Sequence, residues 1–206
     1  MNRIVKFAGQ VADSALSVVG IRSVEEPHHV GRYLTENVEI RQYGPRIAAE
    51  TTVGGDKQRA LNTGFRRLAG YIFGANHREA QIAMTAPVVQ QPSRGEDIAM
   101  TAPVPVTGSS EAGWTMRFYM PSKWSMETLP VPDNDDVRLI RVPAQTVAVL
   151  RFSGDRGPRA IADCTDRLMK TLRDHDIEPT GEAVGWFYDP PWTLPFRRRN
   201  EVAVVI

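Results

Sequence analysis

The chain has 206 residues, 42% of them apolar and 24% charged, which fits a folded protein with a buried core and excludes a disordered one. Its 25 Lys and Arg against 24 Asp and Glu leave no global field to recruit nucleic acid or an anionic membrane. The single cysteine, Cys164, excludes an intramolecular disulfide and any cysteine-built zinc or iron–sulfur site, and suits a reducing, cytoplasmic setting.

The first 24 residues contain Ile4, Ala8, Val11, Ala15 and Val18 on one helical face. Gln10, Asp13 and Ser14 interrupt the apolar run that a secretory signal needs, so this segment reads as a docked amphipathic helix. The alternative is a contact with a membrane or a protein partner, with a periplasmic or membrane-associated location. No run of eighteen apolar residues exists to span a bilayer.

Next comes an internal repeat. VEIRQYGPRIAAETTVGGD, 38–56, aligns without a gap on VRLIRVPAQTVAVLRFSGD, 137–155. Both read as strand, turn (Gly44-Pro45, Pro143-Ala144) and strand, then Gly-Asp with the Asp as N-cap of a helix. The first helix, 57–73, carries Leu61, Phe65, Leu68 and Ile72 on an apolar stripe that faces a sheet. The second, 157–174, carries Ile161, Cys164, Leu168 and Leu172 in the same way. More strands follow each helix: WTMRFYM at 114–120 in the first half, AVGWFYD at 183–189 and NEVAVVI at 200–206 in the second. Pro130, Pro132 and Asn134-Asp135-Asp136 mark the junction.

A second repetition, IAMTAPV at 82–88 and 98–104, lies wholly inside the first half. The polar, turn-forming VQQPSRGED region between the copies predicts a hairpin with matched arms. Pro87 and Pro103 belong near strand ends or bulges, and Met84 and Met100 are core filler rather than iron ligands. Strands, helix and strands written twice predict an α+β architecture: two pseudo-symmetric halves merging into one curved sheet or barrel, with two helices outside.

Several segments resemble the SOUL haem-binding protein family. They are EIRQYGP (39–45), FRRLAGYIFGAN (65–76), IAMTAPV, FSG (152–154) and YDPPWTLPFRRRNEV (188–202), and the likeness runs from about Pro27 to Ile206. The resemblance implies one domain over 27–206, with halves of about 27–130 and 131–206. Its fold would be a distorted β-barrel of two βαβββ-like halves flanked by two helices. It also implies reversible, non-covalent binding of haem b or another tetrapyrrole by a carrier or buffer that is not an enzyme. A tetrapyrrole-modifying enzyme is the alternative.

Carried over by position, the haem surface would use Asn62, Phe65, Arg66, Ala69 and Phe73, with Arg66 and Arg67 suited to the propionates. Some members carry a histidine where this chain has Gln42, so no iron ligand is implied there. His77, just after the first helix, is the candidate axial ligand. His175, at the end of the second helix, reads as dipole-stabilised, and Cys164 as buried and inert. Asp189 is expected to pair within Arg197–Arg199 and pin the C-terminal segment. No nucleotide-binding glycine loop, HExxH or GxSxG pattern occurs.

Overall fold

Tight turns open both halves. Gly44-Pro45 joins β2 (Val38–Tyr43) to β3 (Arg46–Val53), and Pro143-Ala144 joins β6 (Arg138–Val142) to β7 (Gln145–Phe152). The computed structural model describes residues 25–92, 113–189 and 193–206. The expected N-terminal helix, the second IAMTAPV copy and Thr101 lie outside them. Along β3 and β7 the order of half-buried, buried and exposed positions is identical. Each strand ends in a glycine with positive φ, Gly55 at 89° and Gly154 at 93°, a conformation costly for a side chain with a Cβ. The repeat is therefore written in backbone geometry as well as in apolar pattern.

The helices follow at once, α1 over Lys57–Ile72 and α2 over Pro158–Arg173. Asp56 caps α1 by accepting from the Arg59 N–H at 3.2 Å, as its sequence position predicts. The matching expectation for Asp155 fails. The N-cap of α2 is Gly157, and Asp155 Oδ1 accepts from the Gly157 N–H at 3.1 Å instead. Pro158 starts α2 with its fixed φ and missing N–H, which moves the helix start beyond Asp155's reach.

The strands form one nine-stranded antiparallel sheet, curled as a half-barrel. Besides those named, it contains β1 (His29–Tyr33), β4 (Val88–Pro92), β5 (Trp114–Tyr119), β8 (Val184–Phe187) and β9 (Asn200–Val205). The order is β1-β2-β7-β9-β8-β4-β5-β3-β6. Exchanging β2 with β6, β3 with β7, β4 with β8 and β5 with β9 leaves that order unchanged apart from β1. The pseudo-twofold axis thus falls between β4 and β8. The edge strand β1 is an addition that sequence reading missed, because HVGRY has no apolar alternation and most of it is exposed.

The first arm of the predicted IAMTAPV hairpin is also corrected, while its second arm lies outside the described residues. The first copy is irregular until Val88, and β4 pairs with β5 and β8. Pro87 has no N–H to give. The Ile82 N–H donates to Ile72 O and the Ala86 N–H to Glu25 O, both at distances that leave nothing for a hairpin partner (2.8 and 3.0 Å). The Thr85 hydroxyl donates to Tyr119 O, as expected for backbone anchoring. Met84 packs at the edge of the α1 cluster.

Both helices pack on the same face of the sheet. α1 buries Leu68, Tyr71 and Ile72 against Ala49, Met116 and Phe118. α2 buries Cys164, Leu168 and Leu172 against Ile40, Leu150 and Val202. Burial pushes the Cys164 thiol pKa up, which keeps it protonated and inert. The helix-free face has its own aromatic core of Tyr43, Tyr119, Trp186 and Tyr188. Leu68 and Leu168 are both fully buried. Truncating either to Ala should cost about 2–5 kcal/mol in denaturant unfolding, with equal slopes if the two helices melt in one transition with the sheet.

Candidate functional site

The α1 stripe that packs on the sheet is Ala60, Gly64, Leu68, Tyr71 and Ile72. A helix that buries this stripe turns Asn62, Phe65, Arg66, Ala69 and Phe73 to its other side, since these follow the three- and four-residue spacing of one face. All five sequence-nominated residues therefore share a surface. Phe65 is 43% exposed and Phe73, the C-cap, is 64% exposed. The expectation that Phe65 faces the sheet is met in part: its ring meets the buried Phe118 ring at 5.5 Å with a 66° tilt, while the side turned away from the sheet stays exposed.

Two arginines follow Phe65 and differ in charge balance. Arg67 pairs with Asp136 at 2.7 Å. Arg66 reaches only the Thr63 hydroxyl at 3.5 Å and forms no ion pair with a described residue. Asn62 accepts a long hydrogen bond from Gln58 at 3.4 Å. The face thus offers two separated phenylalanines, a small Ala69 between them and one uncompensated guanidinium.

His77 sits just past this face, on a loop held by Asn76. The buried Asn76 amide donates to Tyr71 O at 3.0 Å and Ala80 O at 2.8 Å, and its Oδ1 accepts from the backbone N–H groups of Arg78 and Ala80. The loop is clamped to the inter-half junction, where the His77 N–H donates to Val131 O at 3.0 Å and the Tyr71 hydroxyl donates to Pro130 O at 2.9 Å. The His77 ring is 65% exposed, with Nε2 at 3.7 Å from Asp133 Oδ1. Val131, 57% exposed, adds apolar surface here. Among the described residues no group of three or more His, Cys, Asp or Glu is placed to hold a metal ion.

The helix-free face contains the molecule's densest charge network. Glu201, with no exposed surface, receives Arg41 through two bonds of 2.8 and 3.0 Å, Arg199 Nε at 2.9 Å and the Tyr188 hydroxyl at 2.6 Å. Burial alone would raise the Glu201 carboxyl pKa. The hydrogen bonds and charges of Arg41 and Arg199 outweigh it and hold the carboxyl below its ordinary range. Arg199 also pairs with Glu26 at 2.9 Å. A cleft of about 700 Å³ opens beside this network, lined in part by Tyr33, Arg151, Phe196 and Arg197. Asp189 does pin the C-terminal segment, though through the backbone: its Oδ2 accepts from the Arg199 N–H at 2.6 Å.

A family model described as SOUL heme-binding protein matches residues 24–205. The chain belongs to the SOUL heme-binding family. Heme-binding protein 2 of Homo sapiens is 33% identical over 201 residues, covering 96% of this chain and 91% of that protein. Heme-binding protein 2 of Mus musculus is 32% identical over 171 residues, covering 81% and 77%. In fold, the chain is similar to an uncharacterized conserved protein from Listeria innocua, with a TM-score of 0.61, 10% identity and coverage of 84% and 93%. It is also similar to the EcmrR C-terminal domain, with a TM-score of 0.55, 12% identity and coverage of 82% and 95%.

Sequence reading of this SOUL chain found the α1 face but missed Val131 and the clamping role of Asn76. A short Gly-Ala-Asn after a helix carries a weak signal for such a clamp, whereas Val131 is separated from α1 by more than fifty residues. The Glu201 network was missed because its arginines come from β2 and the 198–199 segment. Replacing Glu201 with Gln leaves the buried Arg41 with Glu39 and the half-buried Arg199 with Glu26 as their remaining carboxylates, and should cost about 1–3 kcal/mol. Because the folded carboxyl pKa is depressed, the native stabilisation is complete above the unfolded value of about 4.3 and is lost as pH falls through the lower folded value. Unfolding measured from neutral pH into that acid range should show a steeper loss for the native chain than for Glu201→Gln.

Proposed function

We propose that this SOUL family member carries or buffers haem b, or a related tetrapyrrole, bound reversibly and without covalent attachment on the outward face of α1. The observation that carries the reading is the pair of exposed rings, Phe65 and Phe73, on one helix face with Ala69 between them. Eight residues of helix separate them by about 12 Å along the axis, a span that suits a flat macrocycle. Burying two such rings under a ligand removes a large apolar area from water. Arg66, with no ion pair among the described residues, is the group for a propionate carboxylate. His77 is the proposed axial ligand, on a loop whose backbone Asn76 holds. Bound haem would supply the redox and ligand chemistry of its iron. The chain's part is to cover the ring, pair its carboxylates and release it, with no turnover assigned. A cytoplasmic setting goes with this reading.

A second placement has one observation in its favour. The cleft of about 700 Å³ also combines exposed aromatics, Tyr33 and Phe196, with arginines 151 and 197. The two are separable in one experiment, a visible-absorbance titration of purified apoprotein with ferric haem and with metal-free protoporphyrin. On the α1 reading, Phe65→Ala and Phe73→Ala each weaken both ligands about tenfold, Arg66→Ala weakens both several-fold, and Arg151→Ala is silent. His77→Ala should abolish a haem-specific Soret shift and leave protoporphyrin affinity unchanged. Loss of binding in Arg151→Ala with native affinity in Phe73→Ala moves the site to the cleft. No saturable binding of either ligand ends the carrier reading.

A further inference from the structure

A separate cavity carries a second binding assignment, independent of the tetrapyrrole surface. Arg46 opens β3 directly after the Gly44-Pro45 turn, and like Ala48 it points to the helix-free face. Its guanidinium lies 4.2 Å from the centre of the Tyr43 ring and 4.7 Å from that of Tyr119. One terminal nitrogen donates to Gln145 Oε1 at 2.9 Å. It forms no ion pair with a described residue, and its Nε is a buried donor without an acceptor. The indole Nε1 of Trp124 is another buried donor without an acceptor.

Arg46 and Trp124 line the same cavity, of about 310 Å³, with their two orphaned donor atoms just beneath its surface. Its walls include Pro27, Ile47, Tyr119 and Met120. Glu25 is the carboxylate in the lining, and it is committed to the Ser122 backbone N–H at 2.8 Å. A buried donor without an acceptor costs free energy, and a half-buried cation without a counter-charge costs more. Two such groups at one mostly apolar concavity meet the description of a ligand site with a few orienting polar groups.

We propose that this cavity binds a small organic carboxylate. Its oxygens accept from Arg46 Nε and Trp124 Nε1, which a small shift of the cavity's side chains uncovers, and its apolar body packs on Pro27, Ile47, Tyr119 and Met120. An inorganic oxyanion leaves those apolar walls unused. An uncharged hydrophobe leaves Arg46 without a counter-charge. Arg46 and Tyr119 face away from α1 while Ile47, Met120 and Trp124 pack with the α1 cluster, and none of the residues proposed for the tetrapyrrole surface lines this cavity.

The test is isothermal titration of the full chain with naphthoate, benzoate and the uncharged naphthylmethanol. Saturable one-to-one binding of naphthoate is expected, at least about tenfold tighter than naphthylmethanol. Arg46→Met should erase that preference. Trp124→Phe keeps an aromatic wall, removes one donor and should weaken naphthoate several-fold while leaving naphthylmethanol unchanged. If circular dichroism shows Arg46→Met to be unfolded, Trp124→Phe decides alone. Equal affinity for the charged and uncharged probes overturns the proposal, as does unchanged naphthoate affinity in the folded variants or no binding of either acid. Haem titration of the same variants keeps the two readings apart, because each site is expected to survive loss of the other.

Discussion

The fold rests on an exchange of strands between its halves. β2 from the first half pairs with β7 of the second, and β6 from the second pairs with β3 of the first. Neither half therefore completes its sheet alone. The antiparallel ladders that close each half are made across the pseudo-twofold, so the two halves share one sheet. Because each helix follows its β3 or β7 strand through the same Gly-containing turn, both helices land on the same face. The opposite face is left to side chains and whatever binds there.

That face solves its packing problem with charge as well as with aromatics. Arg41 on β2 and Glu201 on β9 meet across the intervening β7, so their pairing ties together strands that do not touch. A carboxylate with no exposed surface survives only because two guanidinium groups and a tyrosine hydroxyl satisfy it. Gly31 on β1 takes part by omission. A Cβ there would fall 2.2 Å from Glu39 Oε1, the side chain that also braces Arg41 at 2.8 Å. The same face carries Arg46, a guanidinium of a different kind, held by rings and an amide rather than by a carboxylate. Within a few residues of chain, one arginine is electrically closed and the other is electrically open.

Much of this was legible in the sequence because it is periodic or local. The repeat at 38–56 and 137–155 foretold β2, β3, β6 and β7, and the stripes foretold α1 and α2 to within a residue at each end. What failed had non-local causes. β1 carries no alternation of its own and is a strand because β2 offers it an edge. The first IAMTAPV looks like a strand, yet its N–H groups are claimed by Ile72 and Glu25 and its neighbour Pro87 has none. The α1 face was legible through spacing and family resemblance. The Glu201 network and the Arg46 cavity were not, since their members come from distant segments, with 160 residues between Arg41 and Glu201 and 99 between Arg46 and Gln145.

The internal repeat also separates what the fold requires from what it merely permits. Counted in register, the packed positions of the helices correspond: Gly64 with Cys164, Leu68 with Leu168 and Ile72 with Leu172, all buried. The outward positions do not. Where α1 presents Phe65, Arg66 and Phe73, all exposed, α2 has the half-buried Thr165 and the exposed Asp166 and Arg173. The Thr165 hydroxyl bonds back to Ile161 O at 2.9 Å. The second helix holds its place on the sheet with this polar outer face. The architecture therefore makes no demand for exposed phenylalanines at the corresponding positions of the first. The exposed Phe73 and the open part of Phe65, beside an arginine with no ion pair among the described residues, are a feature of α1 that packing leaves unexplained and that a bound apolar dicarboxylate would explain.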